Sequence, residues 1–512
     1  MPFLVDSGHI YLRYQPDLHS VLPHGAVLDI PAGKVLAVPH GVDEVKVLRN
    51  MGIFVEAAIY HEYDWRGNKP FETQAKTTAF ITQNPRCFVT NGMGTGKTLA
   101  ALMAFDFLKQ KGLVNRLLVV APLSTLNPTW QREITVRMPH LRAQVLRGTK
   151  QRRLEALAIP SDVYIINHDG LEVIKDEIRA RLDIDMLVLD ELTAYKNNKS
   201  NRSKCVQLVA ASRKRVVGMT GTPTGNDITD AYGQIKAVHG GAFKTTFKTF
   251  REMLCDRFGP FKWVPKPNAI TTLATMYQPA IRFTRDETYD LPPCSEITRD
   301  IQVSEEQRAL LKELRAQGAA AVAGGTIRGI NEAALLGKML QVILGGVYAD
   351  SGSIVKVDAT PRLTELMDVL EQLEAPAIIF STYKESVRQL SEVVGARYRI
   401  GVIHGDVPPS ERDEIFAQFQ SGRLDHLVAH PGTMSHGLTL TEASTVIWYG
   451  PPLSLEQDLQ ANARITRKGQ TRNQLIVRFA ATSLERRIYA RLEKKEELQG
   501  MLLEILEDME RT

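Results

Sequence analysis

The chain has 512 residues, 44% hydrophobic and 24% charged, the mix of a soluble globular protein with room for about three domains of ~150 residues. Its four cysteines are far apart with no C-x-x-C pair, so neither a zinc site nor a disulfide framework is expected. The formal net charge of +5 permits a phosphate-binding face without establishing one. The opening lacks a basic region followed by a long apolar run, and no eighteen-residue apolar stretch occurs; neither a secretion signal nor a membrane span is expected, and a cytoplasmic location follows.

Residues 1–67 read as a small α+β segment. Ile10, Leu12 and Tyr14 alternate as in a strand, and V-L-D-I-P-A-G-K-V-L-A-V (27–38) reads as two strands about a turn. A short helix is expected from Val42 to Met51, ending at Gly52. From 68 to 285, apolar runs alternate with helical periods: 87–90, 117–121, 163–166, 186–189 and 215–219. Such runs are the mark of buried parallel strands, and the alternation predicts an α/β lobe. Residues 286–360 break the rhythm and read as a partly helical connection with an Ala/Gly tip. The α/β pattern returns at 361–482, with runs at 377–380, 399–403, 426–429, 445–449 and 474–478. The last segment, 483–512, reads as a charged helix with Leu484, Ile488 and Leu492 on one face.

The sharpest motif is N-G-M-G-T-G-K-T at 91–98, set between an apolar run and a helical period. Gly92, Gly94 and Gly96 let backbone N–H groups turn towards phosphate oxygens, with Met93 and Thr95 in the same loop. A helix beginning near Lys97 adds the positive end of its dipole. Lys97 is expected to reach the β- and γ-phosphates of ATP and Thr98 to hold Mg2+. Asn91 stands where the strict pattern has glycine.

L-V-L-D-E (187–191) ends an apolar run in two acids; Asp190 suits the Mg2+ and Glu191 the attacking water. M-T-G-T-P (219–223) places Thr220 and Thr222 where hydroxyls can relay the state of the γ-phosphate. Gln74, upstream, carries the paired donor and acceptor that could read adenine. In the second α/β region, Q-A-N-A-R-I-T-R-K-G-Q (460–470) sets Arg464 and Arg467 three apart, on one face of a helix. Planar guanidinium forks suit phosphate, and two from one lobe reaching phosphates held by the other follow arginine-finger logic.

These ordered motifs, from Gln74 to Gln470, resemble the Swi/Snf-type ATPase branch of helicase superfamily two over about four-fifths of the chain. A-P-L-S-T-L-N-P-T-W (121–130), R-F-T-R-D-E-T-Y-D-L-P-P (282–293), I-I-F-S-T-Y (378–383) and G-T-M-S-H-G-L-T-L-T-E-A (432–443) extend the likeness. The resemblance implies two RecA-like lobes in tandem with ATP in the cleft and DNA, duplex or forked, across both. It implies coupling roles for Thr220, Thr222, Gln460 and Gly437. Ser124, Trp130, Tyr383, Lys384, Thr433 and Ser435 become candidates for DNA contact, although Trp130 equally fits a core aromatic, and Trp448 is expected in the core. The chain departs from the family at Thr193 and Thr466, where histidines are usual. It lacks remodeller insertions and histone-reading modules, which points to a lean bacterial or phage protein, acting as a monomer. Movement on duplex DNA is the expected activity. A strand-separating or annealing helicase, and an ATP-switched DNA-binding protein, are the alternatives.

Overall fold

The computed structural model describes residues 3–5, 8–224, 227–259, 262–285, 287–288, 290–323, 329–348, 354–434, 440–467 and 469–494. The chain divides into two units, with the boundary between Thr288 and Tyr289.

The first unit opens on a four-stranded antiparallel sheet of β1 (Phe3–Val5), β2 (His9–Arg13), β3 (Ala26–Ile30) and β4 (Gly33–Pro39), in the order β1-β2-β4-β3. The run 27–38 does form a hairpin, Ile30 pairing Gly33 at its tip. One face closes over Leu18, Leu22, Val45 and Leu48, the last two from the helix Val42–Asn50. Val42, Ala57, Ile59 and Tyr63 continue into the core of the lobe that follows.

That lobe is a seven-stranded sheet in the order β13-β5-β10-β9-β6-β8-β7, all parallel. Its strands are β5 (Arg86–Val89), β6 (Arg116–Ala121), β7 (Ala143–Leu146), β8 (Val163–Asn167), β9 (Ile184–Asp190), β10 (Arg215–Met219) and β13 (Ala280–Ile281). β11 (Cys255–Phe258) and β12 (Lys262–Pro265) form a separate hairpin. Side chains alternate between two cores. Leu118 and Val120 of β6 face one, while Leu117, Val119 and Ala121 face the other. Burial on both faces is why these strands read as unbroken apolar runs.

The second unit carries a six-stranded parallel sheet in the order β14-β21-β20-β17-β19-β18. These are β14 (Cys294–Asp300), β17 (Ala377–Phe380), β18 (Ile400–Ile403), β19 (His426–Ala429), β20 (Thr445–Trp448) and β21 (Gln474–Ala480); β15 (Gly346–Tyr348) and β16 (Ile354–Lys356) make a small hairpin. Ile379 and Val428 line one core, Ile378 and Trp448 the other. Two such helix-flanked parallel sheets are the tandem RecA-like architecture.

The 286–360 stretch is more than a connection. Its β14 pairs residue for residue with β21 and belongs to the second sheet. An edge strand exposed along almost its whole length carries no apolar run, which is why C-S-E-I-T-R-D does not look like a strand. Near the end of the described chain, residues 483–494 are helical. Leu484 and Ile488 pack on the helices of 305–343, and Glu485 pairs with Arg362 at 2.6 Å, both fully buried. No helix among the described residues is long and apolar enough to cross a membrane.

Candidate active site

In a parallel sheet every strand ends at the same edge, so neighbouring strands deliver their following loops side by side. β5, β10, β9 and β6 are consecutive in the first sheet. The glycine loop follows β5, Thr220 follows β10, Glu191 follows β9, and the 122–131 segment follows β6. Motifs scattered over 130 residues of sequence thereby share one edge.

The glycine loop is held open by its own atoms. Gly94 (φ +83°) and Gly96 (φ +78°) take left-handed conformations. A Cβ on Gly96 would stand 1.8 Å from Gln74 Nε2, so only glycine fits there. The helix Lys97–Gln110 begins directly after it. The Lys97 ammonium donates to the carbonyls of Asn91 (2.8 Å) and Gly92 (2.9 Å), and the Thr95 hydroxyl donates to Gly92 O at 2.9 Å. Asn91 serves as a strut. Its amide donates to Thr77 Oγ1 at 2.8 Å and accepts from Phe283 N–H at 3.0 Å, tying the loop to the helix before it and the chain leaving the lobe. A glycine there would have no such side chain. Met93 in the loop and Thr98 in the helix's first turn are half-buried.

Gln74 is buried, and both ends of its amide are engaged. Its Oε1 accepts from Phe71 N–H at 3.0 Å and its Nε2 donates to Gly96 O at 3.3 Å. This braces the glycine loop; reading adenine would require those bonds to be exchanged.

Asp190 and Glu191 occupy distinct settings. Burial pushes the Asp190 pKa up, opposed by the hydrogen bond from Trp130, the Lys97 charge and the Glu191 backbone N–H. The Trp130 indole N–H donates to Asp190 Oδ2 at 2.9 Å. Trp130 is fully buried within a π-helical turn, Leu126–Gln131, so as a candidate for DNA contact it is corrected: it positions a carboxylate from inside the lobe. Glu191 is a non-glycine residue at φ +63°, a conformation that stores roughly 1–3 kcal/mol of strain. Its Oε1 accepts from Thr193 Oγ1 at 3.0 Å and Thr220 Oγ1 at 3.2 Å, and Thr220 Oγ1 accepts from Thr222 N–H at 3.1 Å. The Thr220 hydroxyl is therefore wired to Glu191, and Thr222 joins the chain through its backbone N–H. Thr193, standing where a histidine is usual, is part of that wiring.

No cluster of three or more His, Cys, Asp or Glu among the described residues could hold a metal by itself. One hydroxyl and one carboxylate, Thr98 and Asp190, suit an ion that keeps waters and takes its remaining ligands from phosphates, the habit of Mg2+.

In the second unit, the helix Leu455–Asn462 ends before the arginine pair, so Arg464 and Arg467 sit in the turns that follow it and not, as their spacing suggested, on one helix face. Arg464 is buried; desolvation and the neighbouring Arg467 charge push its pKa down to about 9. Arg467 is half-buried and its Nε donates to Ala463 O at 3.1 Å. The helix is anchored by Asp458, bonded at 2.9 Å to Arg478 of β21, and by the buried Trp448, whose indole N–H donates to Asn462 Oδ1 at 2.9 Å. Gln470 is buried and donates to the carbonyls of Ala443 (2.8 Å) and Ile465 (3.2 Å). Gln460 is half-buried and donates to Glu456 at 3.2 Å.

Of the remaining candidates, Ser124 and Thr433 are half-buried, the latter donating to His430 O at 2.8 Å. Lys384 is exposed and paired with Asp406. The Tyr383 ring packs into the lobe's cores and its hydroxyl reaches Gly337 O at 3.4 Å, so it is turned inward rather than presented to a ligand. Ser435 and Gly437 lie outside the described residues. Sequence reasoning missed the second jobs of Trp130, Gln74 and Asn91, and the only signal for them was proximity to the motifs.

Two family models match successive parts of the chain. The SNF2-related domain matches residues 50–343, and the helicase conserved C-terminal domain matches residues 359–469. A phage protein, p41 of Acyrthosiphon pisum secondary endosymbiont phage 1, is 24% identical over 82% of this chain and 95% of its own. An ISWI chromatin-remodeling complex ATPase of Arabidopsis thaliana is 25% identical over 80% of this chain, which spans only 40% of that larger protein. The Sulfolobus solfataricus SWI2/SNF2 ATPase core, solved in complex with dsDNA, aligns at 21% identity and TM-score 0.40 over 86% of this chain and 94% of that one. With the SNF2-related domain matching more than half of its residues and the helicase C-terminal domain following, this chain belongs to the SNF2-related family and is a helicase-type ATPase.

Proposed function

We propose that this ATPase is a motor on duplex DNA, in which ATP hydrolysis drives movement along the double helix. The observation that carries the reading is the set of phosphate-directed groups that each unit holds. The first unit groups a lysine, two acids and the threonine relay at one sheet edge; the second sets two neighbouring guanidinium groups in the turns that follow an anchored helix. Neither half is sufficient for phosphoryl transfer, since the transition state needs charge from several directions. Hydrolysis therefore requires the lobes to close on ATP, and reopening follows product formation.

In this cycle Lys97 leaves its loop carbonyls for the β- and γ-phosphates. Glu191 orients the attacking water, and Arg464 and Arg467 meet the charge that develops on the transferred phosphoryl group. Mg2+, held by Thr98 and Asp190, would neutralise phosphate charge. Ser124, Lys384, Thr433 and Ser435 offer hydroxyls and an ammonium to the DNA backbone, a grip independent of sequence.

The test is a panel of ATPase rates with no nucleic acid, single-stranded DNA, duplex, forked DNA and RNA, alongside triplex displacement. Duplex-stimulated hydrolysis with triplex displacement is the expected result. Stimulation by single strands alone, or displacement of annealed strands without triplex displacement, would replace duplex translocation with unwinding. Tight DNA binding without turnover would make the protein a switch.

A further inference from the structure

Outside the motif loops, the first unit carries a concentrated cationic feature. Between residues 244 and 266 stand six basic side chains, Lys244, Lys248, Arg251, Arg257, Lys262 and Lys266, against two acids, Glu252 and Asp256. That surplus of four nearly equals the whole chain's net charge of +5. The segment folds as the helix Phe247–Leu254 followed by the β11–β12 hairpin. Helix and hairpin border an open depression of about 640 Å3 lined by Lys248, Arg251, Arg257, Trp263 and Lys266, with Glu252, Cys255 and Asp256.

The geometry prepares the cations for an anion. Arg257 lies directly across the ladder from Trp263, so both side chains share one face of the hairpin. The Arg251 guanidinium lies over the Trp263 ring, 4.1 Å from its centroid, and 5.6 Å from that of Phe247. Stacking holds a guanidinium flat while leaving its N–H edge for planar acceptors. No carboxylate forms an ion pair with Arg251 among the described residues, and its Nε, buried, has no acceptor. Lys248 is 80% exposed and forms a long, solvent-screened ion pair with Glu252 at 3.9 Å. At the hairpin's end Phe258 is 71% exposed, on the face opposite Arg257.

We propose that this depression is a phosphate-binding contact for duplex DNA, separate from the motif loops, gripping the backbone through Lys248, Arg251 and Arg257. The proposal rests on the DNA reading above. Six of the eight lining side chains are charged, and four of those are basic. Stacked arginine beside mobile lysine suits a repeating line of phosphates.

The decisive experiment measures binding of a fluorescent 30-base-pair duplex by the full chain and by K248E/R257E, across a salt series. Each lost phosphate contact lowers the salt slope by about 0.9, so the double variant is expected to lose about 2 from the slope and weaken binding on the order of tenfold at moderate salt. ATPase activity without DNA is expected to be unchanged, because neither residue touches the nucleotide loops. If the double variant melts early, K248A at the exposed lysine replaces it, with an expected loss of about 1. Equal slopes in wild type and variant overturn the contact and leave the patch to an acidic protein surface. Wild-type protein that binds no duplex at any salt removes the DNA reading itself, and this proposal with it.

Discussion

The two units use the same device for different ends. Each buries a tryptophan whose indole N–H reaches out of the core at 2.9 Å: Trp130 to Asp190 in the first, Trp448 to Asn462 in the second. In the first unit the acceptor is itself a site residue. In the second it is the last residue of the helix that leads to Arg464. The surroundings also differ. On the first unit the charges are already answered: Lys97 rests on two carbonyls, and Glu191 takes two hydroxyl bonds. On the second, burial first and the neighbouring Arg467 charge second lower the Arg464 pKa. A hydrogen-bonded cradle therefore stands in one unit and a desolvated arginine beside a second arginine in the other.

The sharpest way to break this comparison is at the cradle. Lys97→Ala is expected to abolish turnover, by on the order of 10³-fold or more, without unfolding the lobe. Steady-state ATPase assays beside circular dichroism check this, and surviving hydrolysis would remove the loop from the mechanism. On the second unit, Arg467→Ala is expected to lower kcat by on the order of 10³-fold while ATP binding, measured by fluorescent-nucleotide titration, changes little. A variant that lost nucleotide affinity in proportion to kcat would show the arginine acting in ground-state binding instead.

Trp130→Phe sharpens the difference between the two tryptophans. It keeps the ring in the core but deletes the donor to Asp190, with about a tenfold loss of kcat expected. That donor favours the ionised carboxylate, so its removal lifts an already raised pKa further. The acid limb of the pH–rate profile should move to higher pH. A tenfold loss with an unmoved acid limb would mean that packing alone had been disturbed.

The smallest effect concerns the second unit's stability. His426, at the start of β19, is buried and accepts from Ala377 N–H through Nδ1 at 3.1 Å. Burial pushes its pKa down from 6.5 to about 4, with Asp425 opposing. A histidine held neutral in the fold but free to charge when unfolded contributes fully above pH 6.5. That contribution is lost as pH falls towards about 4, by at most about 3 kcal/mol. Denaturant melts of the second unit at pH 7 and pH 5 should show the loss, and His426→Gln should flatten it.

Much of this was legible in the linear chain. Apolar runs such as L-L-V-V-A and M-L-V-L marked strands buried on both faces, and G-T-G-K-T between a run and a helical period marked the nucleotide loop. β14 was not legible, because an edge strand needs backbone partners rather than apolar side chains, and its partner β21 lies 180 residues away. In the first sheet the edge strand β7 was missed because it is only partly buried, and β13, on the other edge, because two residues are too short to show a period. Trp130 illustrates the limit at the site: an aromatic near a motif reads equally as ligand contact or core, and burial decides.

By itself the sequence determined the order of the motifs, the chemical types of the reacting groups and the parallel character of the two sheets, because these depend on local spacing and hydrophobic period. Only the tertiary structure decided which groups hold one another: Asn91 as a strut, Gln74 as a brace, Thr193 on Glu191, Trp130 on Asp190. Such bonds join residues that sheet order, not chain order, makes neighbours, and sheet order is settled by long-range strand pairing.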